Sequence, residues 1–136
     1  MRITVDTNVL ISATFWYGDS HKIIEGVEQK QFVLVLSKDI LQEYSEVLKY
    51  DEIQDKINDK NLDMKYTLHK IISLATIVEP TATLHAIQED PDDNKILECA
   101  LEGNVDYIIT QDNHLLKLKN FHGIKIVTPK EFIEIN

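Results

Sequence analysis

The chain is poor in cysteine, glycine and proline. Its 136 residues include one Cys, four Gly and three Pro, and the formal net charge is −9. The single cysteine, Cys99, excludes an internal disulfide framework and favours a reducing cytoplasm. Few glycines and prolines beside a hydrophobic share of 43% are typical of a folded protein rather than a disordered one.

The chain also lacks long hydrophobic runs. No apolar stretch approaches the roughly 20 residues that a membrane-spanning helix needs. The first residues do not form the basic and then apolar pattern of a signal peptide. We therefore expect a cytoplasmic protein with no membrane partner. The length suits one domain, and neither a repeat nor a linker divides the sequence, so we predict a single domain over 1–136.

What is present is an alternation of strand-like and helix-like segments. Short apolar or β-branched runs predict strands, strongly at 2–5, 32–36 and 106–110 and more weakly at 75–79 and 124–127. Apolar stripes predict helices at 20–30, 38–49, 61–74 and 91–102, and shorter ones after Asp112 and Pro129. Ser37 is the expected N-cap of the second helix, and Gly103 is the expected C′ residue of the fourth. This alternation predicts an α/β fold with a mostly parallel sheet covered on both faces.

Four acidic residues fall where such a sheet places its ligands, beyond the carboxyl ends of the strands. Asp6 and Asp112 each follow a predicted strand, and Asp93 and Glu43 lie on the inward flanks of predicted helices. Each acid also has a purely structural explanation, because Asp6, Asp112 and Asp93 stand at helix starts. Carboxylates that converge repel one another unless a cation lies between them. Mg²⁺ and Mn²⁺ prefer such oxygen ligands.

Four segments resemble, in order along nearly the whole chain, the PIN-domain family and most of all its VapC-like toxins. They are "VDTNVLIS" at 5–12, "LSKDILQEYSEVL" at 36–48, "DPDDNKILECA" at 90–100 and "DYIITQD" at 106–112. The resemblance implies a three-layer α/β/α sandwich with a central, mostly parallel sheet. It also implies a Mg²⁺- or Mn²⁺-dependent endoribonuclease that serves as the toxin of a type II toxin–antitoxin system.

The resemblance further implies roles for individual residues and partners. The acids that would hold the metal and carry catalysis are Asp6, Glu43, Asp93 and Asp112, and the polar residues that would support them are Asn8 and Thr110. Asp90 and Asp92 lie beside Asp93, and the helical face favours Asp93 for the third role without excluding the other two. The implied partners are an RNA substrate, a small antitoxin protein and a second copy of the chain in a homodimer.

Two other functions stay open at this stage. One is a metal-dependent phosphatase or phosphoryl-transfer domain, which would need a lysine fixed after a strand. The other is an inert PIN scaffold that acts as an interaction module. An acidic nuclease would also need a local basic patch for RNA, and the candidates, each near a helix start, are Lys22, Lys38 and Lys95.

The aromatic run "TFWYGDSHK" at 14–22 has two interpretations. We expect Phe15 in the core, whereas Trp16 and Tyr17 either close the core or form a surface for bases or a partner. His114 follows Asp112 closely, but we expect it at the surface. The charged segment 49–66 predicts a solvated helical arm or a wall of the substrate groove. The histidine and cysteine spacing predicts no zinc site.

Overall fold

A computed structural model of the chain describes residues 1–60, 62–81 and 91–136, with Met64, Pro91 and Asp92 described by their backbone alone. The strands of this part are β1 (Arg2–Val5), β2 (Val33–Ser37), β3 (Ala75–Val78), β4 (Tyr107–Ile109), β5 (Asn120–Phe121) and β6 (Ile124–Val127). They form one sheet in the order β3–β2–β1–β4–β6–β5. Every neighbouring pair is parallel except β5 with β6. The expected mostly parallel sheet is confirmed.

The helices of the described residues alternate with these strands. They are α1 (Thr7–Phe15), α2 (Asp19–Glu28), α3 (Lys38–Val47), α4 (Asp51–Asp59), α5 (Met64–Leu74), α6 (Pro91–Glu102), α7 (Asn113–Leu116) and α8 (Pro129–Ile135). Within the described ranges, none of them combines the length and apolarity that a bilayer crossing requires.

The sheet separates two layers of helices, and alternate strand residues face one layer or the other. Successive residues of a strand point to opposite faces of the sheet. Thr4 of β1 faces α6, because its Oγ1 lies 3.6 Å from the Cys99 sulfur. Ile3 therefore faces the other layer, and its register partner Tyr107 packs edge-on against Phe132 of α8, with ring centroids 5.3 Å apart. Helix α2 packs against both α1 and α8 in that second layer. The three-layer α/β/α sandwich is confirmed.

The order of the strands decides where a ligand can bind. The chain moves outward from β1 to β2 and β3, and then returns to the other side of β1 to form β4. Right-handed crossovers in opposite directions place their helices on opposite faces of the sheet. The carboxyl ends of β1 and β4 therefore border the crevice at the switch point, where open α/β sheets bind their ligands.

The sheet forms the centre of the hydrophobic core. Fully buried side chains include Ile3, Val5, Leu34, Leu36 and Ile109. Burying one such side chain contributes about 1.5–3 kcal/mol relative to leaving it exposed. The continuous apolar runs of the sequence thus correspond to strands that are covered on both faces.

The two helix-end predictions have different outcomes. Ser37 caps α3 as expected, since its hydroxyl accepts the Ile40 amide at 3.2 Å. Gly103 does follow α6, but Asn104 adopts the left-handed backbone, with a φ of 49°. Gly103 is required for another reason. A Cβ there would lie 2.5 Å from a methyl group of Val35, so the close approach of α6 to β2 leaves no space for a side chain.

Some segments differ from the sequence-based expectations. The apolar stripes did not predict helix α1, which was indicated only by Asp6 as a possible N-cap. The charged segment 49–66 is not one arm, because α4 ends at Asp59 and α5 begins at Met64. The predicted helix 61–74 therefore starts late, and Asp63 caps it by accepting the Tyr66 amide at 2.9 Å. The short strand β5 was also not predicted. Asp90, one of the alternatives to Asp93, lies outside the described residues.

Candidate active site

The four predicted acids line one cavity at the carboxyl ends of β1 and β4. The Asp6 amide donates to the Ile109 carbonyl at 3.3 Å, so the two strand ends lie side by side. The cavity measures about 130 Å³, and we call it the acid cavity. It is lined by Asp6, Thr7, Asn8, Ile40, Glu43, Asp93, Lys95, Ile96 and Asp112. Residues that are far apart in sequence thus meet at the predicted edge of the sheet.

Two of these acids also cap helices. Asp6 Oδ1 accepts the Val9 amide at 2.9 Å at the start of α1. Asp112 Oδ1 accepts the His114 amide at 2.7 Å at the start of α7. The structural explanation of these acids is therefore correct, but it does not compete with a role in the cavity. A carboxylate has about four lone-pair positions, and the cap bonds fix the orientation of each side chain.

Thr110 joins the two strand ends. Its hydroxyl donates a short hydrogen bond to Asp6 Oδ2 and accepts the backbone amide of Asp112 at 2.9 Å. The residue is completely buried, so solvent does not compete for these bonds. Thr110 thus holds one carboxylate directly and the other through its backbone, which is the geometry expected of a supporting residue. Asn8, the other predicted supporting residue, lines the acid cavity from the first turn of α1.

The electrostatics of the cavity favour a bound cation. The pKa of Asp6 is raised mainly because burial disfavours its charged form, and the charges of Asp112 and Glu43 raise it further. The hydrogen bonds from Thr110 and from the Val9 amide act in the opposite direction. A divalent cation would remove the repulsion among these carboxylates. Their oxygen atoms are the donors that Mg²⁺ and Mn²⁺ prefer, so the residues fit such an ion.

His114 is partly exposed, as expected from the sequence, but it also approaches this site. Its side chain is 43% exposed, but Nδ1 lies 3.8 Å from Asp93 Oδ2 and 3.7 Å from Asp112 Oδ1. Potential ligand atoms of Asp93, Asp112 and His114 lie within 4.8 Å of one another. The available signal was its position in the first turn of a helix capped by Asp112, because that turn reaches back over the capping residue.

The three lysines proposed for RNA binding occupy different places. Lys95 lines the acid cavity from α6. Lys38 forms an exposed ion pair with Glu79, and Lys22 is an exposed residue of α2 outside the lining of the acid cavity. The structure therefore brings one of the three candidates to the acids.

The aromatic run at the end of α1 is divided between the core and the surface. Phe15 is buried, as expected, whereas Trp16 and Tyr17 are 49% and 90% exposed. The Lys56 ammonium of α4 lies 4.8 Å from the centroid of the Trp16 ring, which is within cation–π range. The interpretation of Trp16 and Tyr17 as surface residues is therefore correct.

The comparisons with known proteins agree with this architecture. A family model for the PIN domain matches residues 2–114. The chain belongs to the PIN-domain family. PIN domains are generally nucleases and generally use divalent metal ions. The chain is also 32% identical, over 143 aligned residues, to an uncharacterized protein of Methanocaldococcus jannaschii, and the alignment covers 98% of this chain and 90% of that relative.

A solved structure shares the PIN-like fold of this chain. It is the crystal structure of VapBC2 from Rickettsia felis bound to a DNA fragment from the promoter of its genes. One of its chains superimposes with a TM-score of 0.61 at 15% sequence identity, over 93% of this chain and 97% of that one. At this level of identity, the likeness shows a common fold.

Proposed function

We propose that this PIN-domain protein is a Mg²⁺- or Mn²⁺-dependent endoribonuclease and the toxin of a toxin–antitoxin pair. One observation carries the nuclease proposal: four carboxylates from two strand ends and two helices line a single cavity at the switch point of the sheet. Family membership supports it, since PIN domains are generally nucleases.

In this proposal the acids hold the metal and the rest of the site holds the acids. Asp6, Asp93 and Asp112 would bind the ion, and Glu43 would complete the site or orient a water molecule. A bound divalent ion supplies an activated water and stabilises the oxygens of the phosphodiester. Thr110 keeps Asp6 and Asp112 at a constant separation through its two hydrogen bonds. The helix-cap amides prevent both carboxylates from turning away.

The positions of the lysines disfavour a phosphatase. Such a site would need a lysine fixed after a strand and directed at the acids. Lys38 directly follows β2, but its ammonium pairs with Glu79. Lys95 reaches the acid cavity from a helix. The presence of all four acids in one cavity also disfavours an inert scaffold.

The partner proposal has two supports. The fold is shared with a chain of VapBC2 from Rickettsia felis, whose crystal structure contains a DNA fragment from the VapBC2 promoter. The net charge of −9 would attract a basic antitoxin segment, and an arginine of that segment could bind the carboxylates of the acid cavity. By the same resemblance we propose a homodimer and a cytoplasmic location.

The decisive test is cleavage of a pool of structured and unstructured RNA. We expect cleavage by the wild-type protein with Mn²⁺ or Mg²⁺, and none with EDTA or in the Asp6→Asn variant. Asn retains the oxygen that caps α1, so circular dichroism should show an intact fold. Intact RNA in every reaction, or cleavage that persists in EDTA, would refute the proposal.

Calorimetry tests the metal site separately from the chemistry. We expect Mn²⁺ to bind the wild-type protein and to bind Asp6→Asn much more weakly. Metal binding without cleavage would support the site but assign it to another substrate or to a scaffold. Absence of metal binding would refute the site itself.

A further inference from the structure

A second, larger cavity lies next to the acid cavity. It measures about 470 Å³, and we call it the neighbouring cavity. The residues of its lining that matter here are Ser12, Trp16, Asp19, Ser20, Gln111 and Lys130. They come from α1, α2, the segment after β4 and the start of α8.

The two cavities are connected through α1 and through the segment after β4. Asn8 lines the acid cavity, whereas Ser12 and Trp16 line the neighbouring one. Asn8 and Ser12 are four positions apart and lie on one face of α1. Trp16, four positions further on, is the C-cap residue of α1 and has an extended backbone, about 12 Å along the helix axis from Asn8 at 1.5 Å per residue. Gln111 directly precedes Asp112, so the neighbouring cavity begins one residue from the proposed metal ligands.

The neighbouring cavity offers an aromatic ring and hydrogen-bonding groups together. The Trp16 ring is half-exposed at its rim. Ser20 is 7% exposed, and within residues 1–60, 62–81 and 91–136 its hydroxyl makes no hydrogen bond. Among the described residues, the Ser20 oxygen is not one of the buried side-chain atoms that lack a partner, so it reaches the space of the cavity, where a ligand can bond to it. The Gln111 amide adds a donor and an acceptor.

The charges of the neighbouring cavity decide between a phosphate and a base. Asp19 and Lys130 both line it, so their formal charges cancel. Asp19 also lies in the first turn of α2, where it already interacts with the positive end of the helix dipole. A phosphate would meet the Asp19 carboxylate. A nucleobase is neutral and carries donors and acceptors on its edge, which suits this set of groups.

We propose that the neighbouring cavity binds the base of a nucleotide that flanks the cleaved phosphodiester. The base stacks on Trp16, and its edge bonds to Ser20 and Gln111. Proteins that read single-stranded RNA use this combination of an aromatic platform and edge hydrogen bonds. The proposal rests on the proposed ribonuclease function, and it restricts the substrate to RNA whose bases at the cleavage site are unpaired.

The first test combines protein variants with RNAs that lack one base. A single abasic ribose is placed at successive positions around the cleaved bond. We expect one position at which it lowers kcat/KM of the wild-type protein by about tenfold, the effect of losing one stacked base. Trp16→Ala should lower kcat/KM on intact RNA by a similar factor. In this variant, removal of the base at that position should lower kcat/KM no further. Trp16→Phe, which keeps a ring, should respond as the wild type does.

The matched control is Tyr17→Ala, which removes a more exposed aromatic residue that does not line the neighbouring cavity. If Trp16→Ala and Tyr17→Ala cleave all RNAs equally well, the base site is refuted while the nuclease stands.

The second test does not require cleavage. Trp16 is the one tryptophan of the chain, so the protein's tryptophan fluorescence reports this position. A single-stranded RNA of about eight nucleotides, within the site sizes of such binders, carries a dye whose anisotropy reports binding. We expect saturable quenching of Trp16 that the abasic RNA reduces. Quenching without cleavage supports the base site and refutes the nuclease. Binding without a change in Trp16 refutes the base site, and RNA that is neither bound nor cleaved refutes both.

Discussion

The cavities at the two ends of the sheet differ in volume and in the arrangement of their charged groups. The acid cavity at the carboxyl ends measures about 130 Å³ and gathers four carboxylates. A cavity at the amino end of β4 is larger, about 480 Å³, and its lining includes Asp106, His122 and Lys125. There Asp106 accepts the backbone amide of Arg2 at 2.9 Å, and Lys125 adds a positive charge.

The comparison teaches that the size of a cavity does not identify the functional end of this molecule. At the amino end, an acid shares its cavity with basic groups. At the carboxyl end, burial and, to a smaller extent, the charges of neighbouring carboxylates raise the pKa of Asp6, and a bound cation would relieve this repulsion. We therefore assign structure to the amino end and chemistry to the carboxyl end, and four predictions test this division.

The largest expected effect is a difference in kcat/KM between variants of one acid at each end of the sheet, Asp112 and Asp106. Asp112→Asn should lower kcat/KM for RNA cleavage by at least about 100-fold, because it removes a proposed metal ligand. Asp106→Asn should change it by less than about twofold, since Asn still accepts the Arg2 amide. Cleavage kinetics with Mn²⁺ measure both. Equal losses in the two variants would contradict the division.

A smaller effect is expected from the residue that supports the acids. Thr110→Val keeps the shape of the side chain but removes both hydrogen bonds of the hydroxyl. We expect kcat/KM to fall by about 10- to 100-fold. Thr4→Val is the control, because Thr4 is equally buried in the neighbouring strand and its hydroxyl contacts the Cys99 sulfur instead of an acid. A similar fall in Thr4→Val would mean that the loss reflects general damage to the sheet.

The third prediction concerns stability rather than activity. Gly103→Ala places a methyl group 2.5 Å from Val35. Overpacking of this kind costs about 1–3 kcal/mol, which chemical denaturation would measure. Below the unfolding transition, kcat/KM should stay at the wild-type level, since Gly103 lies at the end of α6 opposite to Asp93. A loss of activity in the fully folded variant would show that the two ends are coupled.

The smallest effect is a gain in stability on removal of an acid. The folded-state pKa of Asp6 is raised. The stability that its protonated form contributes to the fold is therefore fully present below the ordinary pKa of about 4. This stability is lost as pH rises through the raised pKa. In EDTA, the free energy of unfolding of the wild type therefore falls as pH rises above the ordinary pKa of Asp6, and it is lower at neutral pH than at acidic pH. Asp6→Asn should melt at a higher temperature than the wild type at neutral pH in EDTA, and the difference should disappear near pH 4.

Added Mg²⁺ should reverse that order, because only the wild type keeps every proposed ligand and gains the full free energy of metal binding. Thermal melts at several pH values, with EDTA and with Mg²⁺, test both statements. Curves that do not respond to pH or to metal would contradict the proposed strain in the acid cavity.

Much of the fold could be predicted from local patterns. The continuous apolar runs of β1, β2 and β4 indicated buried strands, and Ser37 indicated the start of α3. Helix α1 was indicated only by its possible N-cap, Asp6, because its sequence, TNVLISATF, is buried on several sides and shows no polar face with a helical period. Strand β5 has two residues, too few for any pattern.

Within the candidate site, Glu43 and Asp93 were identified from the inward flanks of predicted helices. Asp6 and Asp112 were identified because each follows an apolar run. His114 was expected at the surface because only the packing of α7 brings it within 3.8 Å of Asp93, which is distant in the sequence. The neighbouring cavity could not be predicted at all, since it forms where α1, α2 and the segment after β4 pack together.

The sequence by itself determined which segments become buried strands, where acids follow them, and that no disulfide joins the parts. These properties depend on neighbours within a few residues, so local sequence patterns are enough to predict them. Only the tertiary structure decided that the acids meet. Asp6 and Thr110 are 104 residues apart in sequence, and their hydrogen bond exists because β1 and β4 pair in the sheet. Charge repulsion and hydrogen bonding depend on distance in space, which the fold of the whole chain decides.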